Sequence, residues 1–245
     1  MKNQPFYIPQ SLLTTRNVKT IKGEKLGYKT YILYMSPYKQ NSLGKNICPM
    51  ATAGCSQACL YSSGKGSLPV VQKGRINKTE MFLHDRALFL KTLHSEIAQI
   101  VVKHEIEGGD FTVRLNGTSD ISWEKFPIKD GKNIFEIFPN VQFYDYTKNH
   151  LRFNKPLPAN YYLMFSRSET NDNKAMELLN KGVNVAMVFD KIPATYRGFK
   201  VINGDENDLR FLDDKGVIVG LKYKLLTGRG KNNGDAFDSG FAIRT

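Results

Sequence analysis

Acidic residues are nearly absent from the first 78 positions, which hold only Glu24 against twelve lysines and arginines. The remaining residues carry 23 basic and 22 acidic groups, so the formal charge of +12 is concentrated in the first third of the chain. Histidine is also scarce. There are four, and no two stand at a metal-binding spacing, which argues against a zinc module built on paired histidines and against DNA-nicking chemistry that uses such pairs. No apolar run is long enough to cross a bilayer, and no continuous apolar segment follows the scattered N-terminal lysines. A cytoplasmic protein with no membrane partner is expected. No Gly-x-Gly-x-x-Gly run follows a strand, and the tail Thr227-Gly-Arg-Gly-Lys-Asn-Asn-Gly234 lacks a Gly-Lys-Ser/Thr ending. That tail reads as a mobile loop. Hydrophobic residues at 41% and charged residues at 24% are ordinary globular values, and residues 1–245 are expected to form a single domain.

Cysteine is scarce too, yet all three stand in one short window, Cys48-Pro-Met-Ala-Thr-Ala-Gly-Cys55-Ser-Gln-Ala-Cys59. Three thiols gathered in this way suggest shared metal ligation. A disulfide would strand one of them and belongs to oxidising compartments. Idle core cysteines fit poorly with Pro49, Gly54, Ser56 and Gln57 around them. Zinc would need a fourth ligand from His84, His94, His104 or His150, none of them at close spacing. An iron–sulfur cluster fits better, because one iron can remain without a protein ligand and accept a small molecule.

The cysteine third is also the basic third. Cationic groups near thiols favour the thiolate and draw anions toward an open iron. The same charge, interleaved with Tyr7, Tyr28, Tyr31, Tyr34 and Tyr38, also suits nucleic acid, and a plain solvated basic face is the third reading.

Lys29–Met35 alternates like a strand and stops at Ser36-Pro37, after which a loop at about 36–69 carries the cysteines. Thr79 is positioned to cap a helix running to about His104, stopped by Gly108-Gly109. Six further strands follow, at 111–115, 141–145, 161–165, 183–188, 199–202 and 217–221, and a helix is expected at Asn173–Lys181. Strands alternating with helices predict parallel pairing. The expected fold is therefore α/β, an incomplete or degenerate (β/α) barrel, with an open sheet as the alternative. The barrel would gather the polar strand ends around the cysteine loop.

Four blocks in order resemble the phage and plasmid "gene product 88" family: Cys48 through Cys59, Arg114-Leu-Asn116-Gly-Thr-Ser119-Asp120-Ile-Ser-Trp123-Glu124, Tyr144-Asp145-Tyr146-Thr147-Lys148, and Gly204-Asp205 with Asp208 and Arg210. The resemblance implies a phage-encoded protein whose three cysteines bind a cluster. It is also distantly similar to radical S-adenosylmethionine enzymes, where a partial barrel holds a four-iron, four-sulfur cluster on the loop after its first strand. The chain departs from that pattern in its C-x6-C-x3-C spacing and in lacking a Gly-Gly-Glu run.

The polar strand ends supply the other candidates. Asp120, Asp145 and Lys148 are candidate catalytic residues, and Arg114, Asn116, Ser119, Tyr146, Ser166, Asp205 and Arg210 are candidates for holding substrate. Structural ion pairs, turns and caps are the competing roles for the same residues. Three functions follow. The first is an iron–sulfur protein with one open iron, acting as an enzyme on S-adenosylmethionine or another small ligand. The second is a non-catalytic redox or nucleic-acid-binding iron–sulfur protein, and the third is a metal-dependent phosphodiesterase using Asp120, Asp145 and Asp205.

Overall fold

The computed structural model describes residues 6–15, 18–225 and 234–245. Lys2, Arg16 and most of the expected loop at Thr227–Gly234 lie outside them. The described chain is a mixed α/β fold of ten strands: β1 (Leu13–Thr14), β2 (Tyr28–Leu33), β3 (Asp110–Arg114), β4 (Gln142–Thr147), β5 (Tyr161–Ser166), β6 (Val185–Phe189), β7 (Thr195–Tyr196), β8 (Phe199–Asn203), β9 (Ile218–Lys222) and β10 (Ala242–Ile243). Its helices are α1 (Val18–Glu24), α2 (Ala53–Gln57), α3 (Pro69–His84), α4 (Arg86–Glu107), α5 (Ile134–Ile137), α6 (Asp172–Asn180) and α7 (Asp235–Asp238). All seven expected strands form within a few residues of their expected bounds. The sheet is not closed, so the barrel is not confirmed. Among the described residues, no helix is long and apolar enough to cross a membrane.

Packing divides the chain into two compact units. The first comprises Met1–Pro49, Leu68–Asp145 and Pro158–Tyr161; the second comprises Met50–Ser67, Tyr146–Leu157 and Tyr162–Thr245.

In the first unit β1 pairs antiparallel with β2, and β2, β3 and β4 continue in parallel. The helix expected from Thr79 is two helices, because Asp85, at φ −139° and ψ 77°, leaves the helical region and caps α4 by accepting from Leu88 N at 2.9 Å. Thr79 lies inside α3 and caps nothing. Its hydroxyl donates to Arg75 O at 3.0 Å and accepts from Ser36 N at 2.8 Å, tying the end of the first long strand to the helix. Phe89, Leu93, Ile97 and Ile100 make the buried stripe of α4, and Phe82, Phe89 and Trp123 pack ring against ring at 5.2–6.2 Å. Gly108, at φ +76°, ends α4 in a conformation that suits glycine.

In the second unit β6 pairs in parallel with β5 and with β9, β9 with β8, and β8 turns antiparallel into β7. Helix α6 buries Ala175, Leu178 and Leu179 against Phe165, Val185, Met187, Phe189 and Ile218. Beyond the pairing of β5 with Val185 and Ala186, β10 takes up β6 at Val188 and Phe189. The last strand therefore prolongs the support of β6 at its carboxyl end.

Candidate functional site

The cysteine loop is built from short pieces, α2 and then single turns at Leu60–Ser62 and Gly64–Ser67. None of Cys48, Cys55 and Cys59 is in a disulfide, and all three are half-buried. Cys48 N donates to Asn46 Oδ1 at 2.8 Å, and its thiol lies 3.6 Å from Thr118 O. Asp120 N reaches Ile47 O at 3.1 Å, so the turn after β3 grips the chain just before the first cysteine. The contact is made by the turn at Thr118–Asp120, beyond the end of β3 at Arg114, and not by the strand end itself.

Cys55 belongs to α2, whose N-cap Thr52 accepts from Cys55 N at 3.2 Å. Glu169 fixes this helix start, accepting from Thr52 Oγ1 and from Gly54 N, each at 2.8 Å. Gly54 is required by close approach. A Cβ there would stand 2.8 Å from Phe241 Cβ, 2.8 Å from Ser239 Oγ and 2.9 Å from Glu169 Oε1. Cys55 also packs on the apolar group formed by Ala236, Phe241 and Ala242.

The same C-terminal segment meets residues that follow three strands, β4, β5 and β6. Lys148, just after β4, places Nζ 5.8 Å from the Phe241 ring centre and donates to Ser166 Oγ at 2.9 Å. Arg167 donates to Gly240 O and Phe241 O and pairs with Asp172 at 2.9 Å. Burial disfavours the Asp172 carboxylate, but hydrogen bonds from Arg167 and Arg197 outweigh it and hold its pKa below the usual value. After β6, Asp190 N donates to Ile243 O, and Asp190 Oδ1 accepts from Thr245. Lys148 and Cys55 thus share Phe241 as a neighbour, and Lys148 carries Ser166 with it through their hydrogen bond.

The remaining candidates are placed differently. Asn116 is 2% exposed and Asp145 1% exposed. Asn116 Oδ1 accepts from Ser119 Oγ, Ile121 N and Trp123 Nε1, and Asn116 Nδ2 donates to Ile121 O and to Asp145 Oδ2. Asp145 also accepts from Asn116 N at 2.7 Å and Tyr161 OH at 3.3 Å, with Arg114 Nε at 4.0 Å. These residues form a buried polar knot that shapes the turn after β3. Tyr146 OH donates to Asp208 Oδ1 at 3.0 Å, and Asp205 Oδ2 accepts from Lys222 N at 2.8 Å. Arg210, 1% exposed, donates to Asn207 and stands 3.3 Å from Asp213 Oδ2. Burial pushes the Asp213 carboxyl up to about 6, and nearby Arg210 only partly opposes this.

Glu169, Arg167 and Phe241 were not among the sequence candidates. Their contacts with the cysteine loop and with one another's segments span more than 70 positions of sequence, so no local pattern signals them. Among the described residues, no group of three or more His, Cys, Asp or Glu is arranged to hold a metal ion.

A family model described as Gene product 88 matches residues 11–244. No curated protein and no solved structure matches the chain.

Proposed function

The chain belongs to the gene product 88 family, and from the chemistry of its own cysteines we propose that it is an iron–sulfur protein in which Cys48, Cys55 and Cys59 hold a four-iron, four-sulfur cluster. The observation that carries this reading is that every cysteine of the chain lies in one twelve-residue window, free of disulfides and half-buried. Soft thiolate donors suit iron–sulfur chemistry. The donors fit in kind, but no three-ligand group is preformed among the described residues. Ligation would then form together with the metal, as is common where binding and local folding are coupled.

With three protein ligands, the cluster would leave one iron to a small molecule, S-adenosylmethionine being one candidate. In this reading Lys148, which shares Phe241 as a neighbour with Cys55, and Ser166 hold an anionic group of that ligand. Their hydrogen bond at 2.9 Å orients the ammonium before the ligand arrives.

Anaerobic purification tests the proposal. The expected product is brown, carries about four iron and four sulfide per chain, and loses both when the three cysteines become serine. Colourless protein loaded with zinc alone would refute it. A spectral change on adding S-adenosylmethionine separates the ligand-binding form from a cluster that only carries electrons.

A further inference from the structure

We propose that the first unit carries a second, separate site, a groove for a small phosphate monoester with a flat apolar body, such as a nucleoside monophosphate. The groove lies between α4 and the turn at Pro127–Lys129 and encloses about 570 Å³. That falls within the range of roughly 300–1,000 Å³ typical of small-molecule sites. Four basic side chains line it, Arg86, Lys91, His94 and Lys129, and among the described residues no carboxylate does. Lys91 and His94 are three residues apart on α4, with Leu90 beside them, so they present to one side of the helix.

Arg86 is prepared for a ligand. Its guanidinium lies 4.8 Å from the centre of the Phe82 ring and 5.1 Å from that of Phe126, two aromatic contacts that restrict the side chain before anything binds. Stacking through the guanidinium faces leaves its edge donors for an oxyanion, which a planar fork grips in two places. Lys91 and Lys129 add point charges. Three permanent cations exceed what one carboxylate neutralises, whereas a phosphate monoester carries about two negative charges near neutral pH. The remaining wall is apolar, formed by Leu90, Pro127 and Ile128. An inorganic anion would leave that wall uncovered; a ring attached to the phosphate would cover it.

The test is calorimetric titration of the full chain at low salt with adenosine monophosphate, inorganic phosphate and adenosine. Saturable binding of the nucleotide is expected, with phosphate and adenosine each at least about tenfold weaker, a difference of about 1.4 kcal/mol. Arg86→Ala and Lys129→Ala should each weaken nucleotide binding by about five- to tenfold. If Arg86→Ala unfolds because its aromatic partners are left uncovered, Lys129→Ala, on an exposed turn, and Lys91→Ala carry the test. Absence of nucleotide binding, binding of adenosine as tight as that of the nucleotide, or unchanged affinity in both lysine variants would overturn the proposal.

Discussion

Replacing Asn116 with alanine should cost about 4 kcal/mol of stability. The side chain makes five hydrogen bonds, to Ser119 Oγ, Ile121 N, Trp123 Nε1, Ile121 O and Asp145 Oδ2, all at 2.9–3.2 Å within a buried site. Each such bond contributes about 1 kcal/mol net, and each buried group left without a partner costs about 1–3 kcal/mol. The bonds share one side chain and are not additive, so the total falls near the lower sum. The chain has one tryptophan, Trp123, which is 1% exposed and is itself a partner of Asn116. Its emission in a urea titration therefore reports the loss directly. Asn116→Asp keeps the volume and the acceptor but removes both donated bonds and sets a second carboxylate against Asp145, and a loss at least as large is expected. A change below about 1 kcal/mol for Asn116→Ala would refute the view that this side chain builds the turn. It would return Asn116 to the ligand-binding candidates.

Three other outcomes are expected. Gly54→Ala places a Cβ within 2.9 Å of Phe241, Ser239 and Glu169 and should destabilise by about 1–3 kcal/mol, with faster amide exchange in residues 234–245 than in wild type. Glu169→Ala removes the acceptor of Thr52 Oγ1 and Gly54 N and should cost about 2 kcal/mol, read by thermal or urea unfolding; a neutral result would show that α2 starts without it. Burial lowers the Lys78 pKa from 10.5 to about 8 against the opposing pull of Glu96. The folded protein then binds that proton less than the unfolded chain does, so stability rises with pH between about 8 and 10.5, by about 3 kcal/mol relative to Lys78→Met. Urea unfolding at the two ends of that window checks this, and an unchanged difference between the proteins would refute it.

Periodicity made the seven longer strands legible, since each is an apolar run closed by polar or turn residues. It could not reveal β1, β7 and β10, because two residues carry no period. It also hid the break at Asp85, because the apolar spacing continues from Phe82 to Phe89 across it. Pairing order is a long-range property. The place of β9 between β6 and β8, and of β10 beside β6, follows from packing that no local window contains. The site divides in the same way. The cysteines announced themselves by their crowding, whereas Glu169 acts on Gly54 across 115 positions of sequence. Asn116 and Asp145 were conspicuous as polar residues at strand ends, but their burial depends on the turn that folds over them.

The segment from Ala236 to Ala242, which covers Cys55, follows that cysteine by some 180 positions and is made long after it. On a ribosome adding roughly 5–20 residues each second, α2 would emerge many seconds before Phe241 exists to pack against it. During that interval the Cys55 thiol has not yet gained its apolar cover and is open to solutes of the surrounding medium. For the cluster proposed above, the interval before the C-terminal segment is made is when Cys55 would be most accessible, since that segment leaves the thiol half-buried once it packs.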